Sequence, residues 1–266
     1  MKIKSILESM GEFPAKKYIF EKENKTVEFT YINRPEKHII CISCMFGCPV
    51  GCCFCASGNS YNGNLNNEDM VSAIKDIIKN EKISQDKRLL LSFMGSGEPL
   101  LNIEQVNQVI DYFHKFENVY FVISVSGINI ERVLLFNKRS KVKIRFSMHN
   151  PNNIERKQMI PGTDDLDKIL RILSRIDNEI EINYVLLDGI NDSNLHAEKL
   201  AALINTFKFY LKINEYHQIG NSLKESSKKE YFLSILDKNK VKYELYSTDG
   251  TDINGACGQL VSQVIK

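Results

Sequence analysis

The chain has 266 residues, 43% hydrophobic and 26% charged, with a formal net charge of +2. This is ordinary globular composition, which excludes a low-complexity chain, and no run approaches the ~20 apolar residues of a membrane helix. The weakly basic balance permits a nucleic-acid partner without requiring one, and no apolar leader follows Met1-Lys2-Ile3-Lys4, so a cytoplasmic protein without membrane contact is expected.

Residues 1–15 read as a short helical or loose lead-in. Lys17–Phe20 and Thr26–Ile32 read as a β-hairpin turning at Glu23-Asn24-Lys25. A strand–helix beat then sets in. Ile39–Ile42 is a short strand running into a cysteine-rich loop. Asn66 caps a helix whose Met70, Ile74, Ile77 and Ile78 share a face. Leu89–Met94 is a buried strand ending in the turn Gly95-Ser96-Gly97-Glu98-Pro99, and a helix follows near 103–116. Val119–Val125 and Lys141–Met148 are strands, with a helix near 164–176. Glu179–Leu187 is a strand, then a helix reaches about Thr206. Phe209–Tyr216, a helix near 225–238 and Val241–Tyr246 complete the pattern.

Strands alternating with helices of this length predict a parallel sheet. Six strands from Ile39 to Tyr216 favour a partial six-stranded barrel over an open doubly wound sheet, whose G-x-G-x-x-G fingerprint is absent. The expected division is 1–36 for lead-in and hairpin and 37–266 for the barrel with its C-terminal tail.

Six of the seven cysteines lie between Cys41 and Cys55; the seventh is Cys257. In a cytosolic chain such thiols point to metal or catalysis before disulfides. Cys48, Cys52 and Cys55 are spaced C-x3-C-x2-C. Three thiolates from one loop suit a soft metal centre and are one short of a complete all-cysteine site. The cluster they suggest is 4Fe–4S, with one iron open to a small molecule. The pairs Cys41/Cys44 and Cys52/Cys55 also permit structural zinc or a redox dithiol.

The stretch Gly47 to Cys55, with Phe54 before its last cysteine, resembles the radical S-adenosylmethionine (SAM) superfamily. The likeness narrows to the RlmN/Cfr adenine methyltransferases through Met94-Gly95-Ser96-Gly97-Glu98-Pro99, Ser124-Val125-Ser126-Gly127, Ser147-Met148-His149, Tyr184–Asp188, Asn191-Asp192 and Asp252–Leu260. It runs from about residue 18 to 264. What it implies is an α/β partial (β/α)6 TIM-type barrel with an N-terminal β-hairpin extension.

The resemblance further implies that Cys48, Cys52 and Cys55 hold a 4Fe–4S cluster whose open iron binds SAM. Gly97, Glu98, Ser124, Ser147, Met148 and His149 would contact SAM. His217 aligns with a family asparagine that does so, and Asn221 is its possible substitute. Adenine ring carbons are not nucleophilic, so Cys257 would first accept a methyl group on sulfur. A 5′-deoxyadenosyl radical from a second SAM would then activate that methyl for addition to C2 or C8. Cys41 would resolve the resulting adduct through a disulfide, and Glu28 would accept a proton. Cys44 and Cys53 match no family role.

The implied partners are RNA, with 23S ribosomal RNA first and transfer RNA second, and an electron donor such as flavodoxin or ferredoxin. A monomer is expected. The family's N-terminal helical domain has no counterpart before the hairpin, which leaves a small or non-ribosomal substrate for the same relay as an alternative. A zinc-binding interaction module is the non-enzymatic one.

Overall fold

The computed structural model describes residues 1–11, 13–246, 249–261 and 263–264. Its first element corrects the expected loose lead-in. Lys2–Glu8 is a strand, β1, paired antiparallel with β2 (Ala15–Lys22). Ile3 packs on the core beside Met1. Seven residues with so few apolar positions carry too little periodicity to separate strand from helix.

β2 and β3 (Lys25–Arg34) form the expected hairpin. Glu23 and Asn24 turn it at φ values of 50° and 60°, the left-handed pair that matches strand twist. β4 (Lys37–Cys41) returns antiparallel to β3. Two short strands, β5 (Met45–Gly47) and β6 (Tyr61–Asn64), pair as a ribbon on either side of the cysteine loop.

From α1 (Asn67–Asn80) onward the strand–helix alternation holds. The Asn66 side chain accepts from the Asp69 N–H and caps α1. There follow β7 (Arg88–Phe93), α2 (Ile103–His114), β8 (Val119–Val125), β9 (Val142–Ser147), α3 (Asn153–Met159), α4 (Leu166–Leu173) and β10 (Ile180–Val185). The chain continues through α5 (Asn194–Phe207), β11 (Tyr210–Asn214), α6 (Lys229–Lys238), β12 (Tyr243–Tyr246) and β13 (Gln263–Val264). α3 has no counterpart in the sequence reading; it is short, and only the Asn152 cap marks it.

The order across the sheet is β1-β2-β3-β4-β7-β8-β9-β10-β11-β12. β4 and β7 to β11 run parallel as a six-stranded arc, and β12 adds a parallel neighbour. β13 comes back to pair with β3. The apolar core lies between this arc and the helices. In α4, Leu166, Ile169, Leu170 and Leu173 are all buried, each worth about 1.5–3 kcal/mol. No described helix is long and apolar enough to cross a membrane.

Candidate active site

The C-terminal ends of the parallel strands converge on a cavity of about 150 Å³. Cys48, Cys52 and Cys55 form one wall. Gly97 and Glu98 after β7, Ser124 on β8, Ser147 and His149 at the end of β9, and His217 after β11 form the others. Two of the expected contacts are placed differently. Met148 is fully buried in the core, and Asn221 bonds to the Tyr216 hydroxyl and the Cys53 carbonyl; neither lines this cavity.

Local geometry explains the turn after β7. Gly97 sits at φ +110°, and an added Cβ would fall 2.7 Å from Met45 Cγ and 2.8 Å from Cys44 Sγ. Only glycine lets the backbone pass there. Glu98 is buried, and its carboxylate accepts from the Leu100 and Ser126 N–H groups. Burial pushes its pKa up, and the hydrogen bond from the Ser126 backbone N–H opposes the rise.

Arg156 ties the strand ends together from below. Its fully buried guanidinium donates to Met148 O, Thr163 Oγ1, Ser126 O and Ser147 O. His149 Nδ1 accepts from the Val185 N–H, and its ring meets Phe54 edge-on at 4.7 Å. Burial, and then the Arg156 charge, lower its pKa to about 3. The ring is therefore neutral near pH 7 with its proton on Nε2.

The donor set fits an iron–sulfur cluster better than a single ion. Among the described residues no three His, Cys, Asp or Glu side chains close on one point. A four-iron cluster needs one thiolate on each of three irons, spread around a cube, and three thiols along one cavity wall can supply that. Burial pushes Cys48 up to about 12, with Glu98 and Cys55 adding to the rise. Burial likewise holds Cys52 well above the ordinary thiol range, with Cys55 and Cys48 contributing. Metal binding overcomes such shifts by stabilising the thiolate directly.

The same cavity fits a polar ligand such as SAM. Ser126 Oγ, Asn183 Oδ1, Asn214 Oδ1 and His217 Nε2 are buried without a protein partner, and all four residues line it. Buried polar atoms are rarely left this way unless a ligand or water satisfies them. The sequence reading named only His217 among the four as a contact. Asn183 and Asn214 stand two residues after Glu181 and Lys212 on β10 and β11, and nothing in the local sequence separates these amides from other strand polars.

Cys257 lines this cavity and also a second one of about 620 Å³ inside the barrel, which Cys41 lines as well. The two thiols are near enough that Cys257, after burial, raises the pKa of Cys41. Tyr246, missed in the sequence, stands beside both. The segment carrying Cys257 is clamped from two sides. Ala56 N donates to Gly258 O at 2.7 Å and Ser57 Oγ to Leu260 O at 2.6 Å. From the hairpin, Thr30 Oγ1 donates to Gly255 O at 3.0 Å and Lys17 Nζ to Asn254 O at 3.4 Å. Glu28 belongs to this clamp: Oε1 pairs with Lys17 at 3.3 Å, and Oε2 accepts from Val261 N at 3.0 Å. It lines neither cavity.

A partial parallel barrel whose cysteine trio faces a buried Gly-Glu-Pro turn across a small polar cavity is the build of a radical SAM enzyme. The Radical SAM superfamily profile matches residues 42–201, and with it come a 4Fe–4S cluster and SAM as cofactors. The chain is 33% identical over 265 residues to a Thermotoga maritima protein named "Probable dual-specificity RNA methyltransferase RlmN", covering 94% of this chain and 76% of that one. It is 31% identical over 264 residues to the "Dual-specificity RNA methyltransferase RlmN" of Vesicomyosocius okutanii, covering 91% and 73%. The chain belongs to the RlmN family of radical SAM methyltransferases. A solved radical SAM methyltransferase from Sphaerobacter thermophilus shares the fold at TM-score 0.85 and 24% identity, covering 98% of this chain and 82% of that one.

Proposed function

We propose that this protein methylates a ring carbon, C2 or C8, of an adenine in RNA, with Cys257 carrying the methyl group. Ribosomal 23S RNA is the first candidate substrate and transfer RNA the second; the setting is the cytoplasm. The observation that carries the reading is the meeting of Cys41 and Cys257 in one cavity, with Cys257 also lining the cavity of the cysteine trio.

Cys48, Cys52 and Cys55 would hold the cluster. Glu98, Ser124, Ser126, Ser147, His149 and His217 would position SAM. When bound, cluster and SAM supply a one-electron cleavage of the sulfonium that yields a carbon radical at the 5′ position. The protein's part is placement. Cys257, at the junction of the cavities, is methylated on sulfur and presents that methyl between SAM and the base. Cys41 stands on the base side, suited to take the ring proton, with the cluster the acceptor for the adduct's odd electron, and then to attack the Cys257 sulfur: the S–S bond would form as the S–C bond breaks, and the carbon would keep that pair and gain a proton to complete the methyl. For Glu28 the geometry favours holding the Cys257 segment over taking a proton, since Lys17 and Val261 engage its two oxygens.

Expression in a host lacking related enzymes tests this. Mass spectrometry of nucleosides from fractionated RNA should show a methyladenosine with the wild-type chain and none with Cys257→Ala. Protein reconstituted anaerobically with SAM should carry a methyl mark on Cys257. Absence of that mark refutes the relay. A marked Cys257 with an unchanged RNA profile moves the substrate outside RNA.

A further inference from the structure

Barrel interiors are usually filled by branched apolar side chains. Here the inward positions carry charge: Lys143 and Arg145 on β9, Glu181 on β10 and Lys212 on β11 all line the 620 Å³ lumen. One buried carboxylate serves three cations. Arg145 Nε and Nη2 reach Glu181 Oε2 at 2.7 and 2.6 Å, while Lys143 and Lys212 approach Oε1 at 2.9 and 3.6 Å. The two lysines also meet Glu179 and Glu244, but those side chains are 61% and 43% exposed and their charge is largely screened. Arg34, Lys37, Arg88 and Lys141 line the lumen as well, with Glu36 the one further carboxylate, so its walls carry seven cations against four carboxylates.

Two further features aim that surplus at a ligand. Arg145 Nη1 donates to Met94 Sδ, and a thioether is a weak acceptor, so a better one would displace it. The Tyr246 ring centre lies 5.9 Å from the Arg145 guanidinium and 5.3 Å from Lys212 Nζ, an aromatic wall in the same lumen as the cations and the two thiols. The volume is that of a small-molecule site, wide enough for one nucleotide and too small for a duplex.

We propose that the lumen is the substrate's port: a single adenosine nucleotide enters from the N-terminal ends of the strands, base toward Cys41 and Cys257, phosphate on Lys143, Arg145 and Lys212. This rests on the reading of the chain as an adenine methyltransferase and adds the direction of approach and the group that is gripped. The phosphate can belong to a nucleotide extruded from an RNA strand or to a free nucleotide.

The test uses anaerobically prepared holoenzyme and equilibrium dialysis with adenosine, adenosine 5′-monophosphate and single-stranded tri-adenylate. The monophosphate should bind about tenfold more tightly than adenosine at low salt, the scale of one charge-assisted hydrogen bond, with the gap closing as salt rises. Lys143→Gln, at a side chain 30% exposed, should reduce that ratio at least threefold while adenosine and SAM affinities hold. Tri-adenylate binding as well as the monophosphate marks a strand; the monophosphate alone marks a free nucleotide, and both outcomes support the port. Equal affinity for adenosine and its monophosphate, or a ratio unmoved by Lys143→Gln, overturns it. RNA methylation by the same preparation is scored separately, so that the port can fail while the methyltransferase reading stands, or the reverse.

Discussion

Arg156→Met probes the staple beneath the strand ends. Wild-type Arg156 makes four hydrogen bonds from a fully buried charged donor, each worth about 1.5–3 kcal/mol. Two of its acceptors keep another donor after the change: Ser126 O retains Thr163 Oγ1, and Met148 O retains the Asn150 N–H. Burying the cation takes several kcal/mol back, consistent with burial lowering its pKa to about 10. The net loss should be about 3 kcal/mol, a large part of the ~5–15 kcal/mol that holds a domain folded. Arg156→Lys should be at least as damaging, because an ammonium cannot span acceptors on three segments as the planar fork does. Urea unfolding of the reduced, cluster-free chain followed by circular dichroism gives the number. A Met variant within 1 kcal/mol of wild type, or a Lys variant clearly better than Met, would refute the staple.

Gly97→Ala should lower iron content and SAM binding sharply, since its Cβ collides with Met45 and Cys44 beside the cysteine wall; iron analysis after anaerobic reconstitution checks this. Ser57→Ala removes the 2.6 Å bond to Leu260 O. It should cost about 1 kcal/mol and speed hydrogen exchange across 255–261 more than in the barrel strands. Acid sensitivity has a computable sign. His149 is lowered to about 3 by burial, so between pH ~6.5 and 3 the unfolded chain binds the extra proton, and stability falls by about 1.4 kcal/mol per pH unit as pH drops. Burial opposes ionisation of Glu181, but Arg145, Lys143 and Lys212 hold it down at about 2. Its contribution is present above pH ~4.3 and is lost from there toward 2. Urea midpoints against pH should show the upper slope vanish in His149→Gln, and an unchanged profile would contradict the burial argument.

The strand–helix beat was readable because each helix repeats its apolar residues every three or four positions, β7 and β8 are mostly apolar, and β9 to β11 interleave apolar with polar residues. β5, β6 and α3 were not, being shorter than the window in which such a period declares itself. The charged lumen was hidden for a different reason. Lys143, Arg145, Glu181, Lys212 and Glu244 occupy alternating strand positions, a pattern that on a flat sheet means a solvent face. Curling the sheet turns that face inward, and curvature is not visible in a local pattern. The cysteine trio was legible from spacing, whereas Asn183 and Asn214 acquire meaning only when neighbouring strands bring them to one wall. The contacts of Glu28 with Lys17 and the Val261 N–H likewise appear only in the fold, since they join residues far apart in the chain.

That clamped segment sets an order of events during synthesis. The cysteine loop is made about two hundred residues before Gly255 to Val261, the piece that closes against Ala56, Ser57 and the hairpin. At about 5–20 residues per second the delay is roughly 10–40 s. Throughout that interval the cysteine loop and the hairpin wait without the hydrogen bonds that later clamp the Cys257 segment between them.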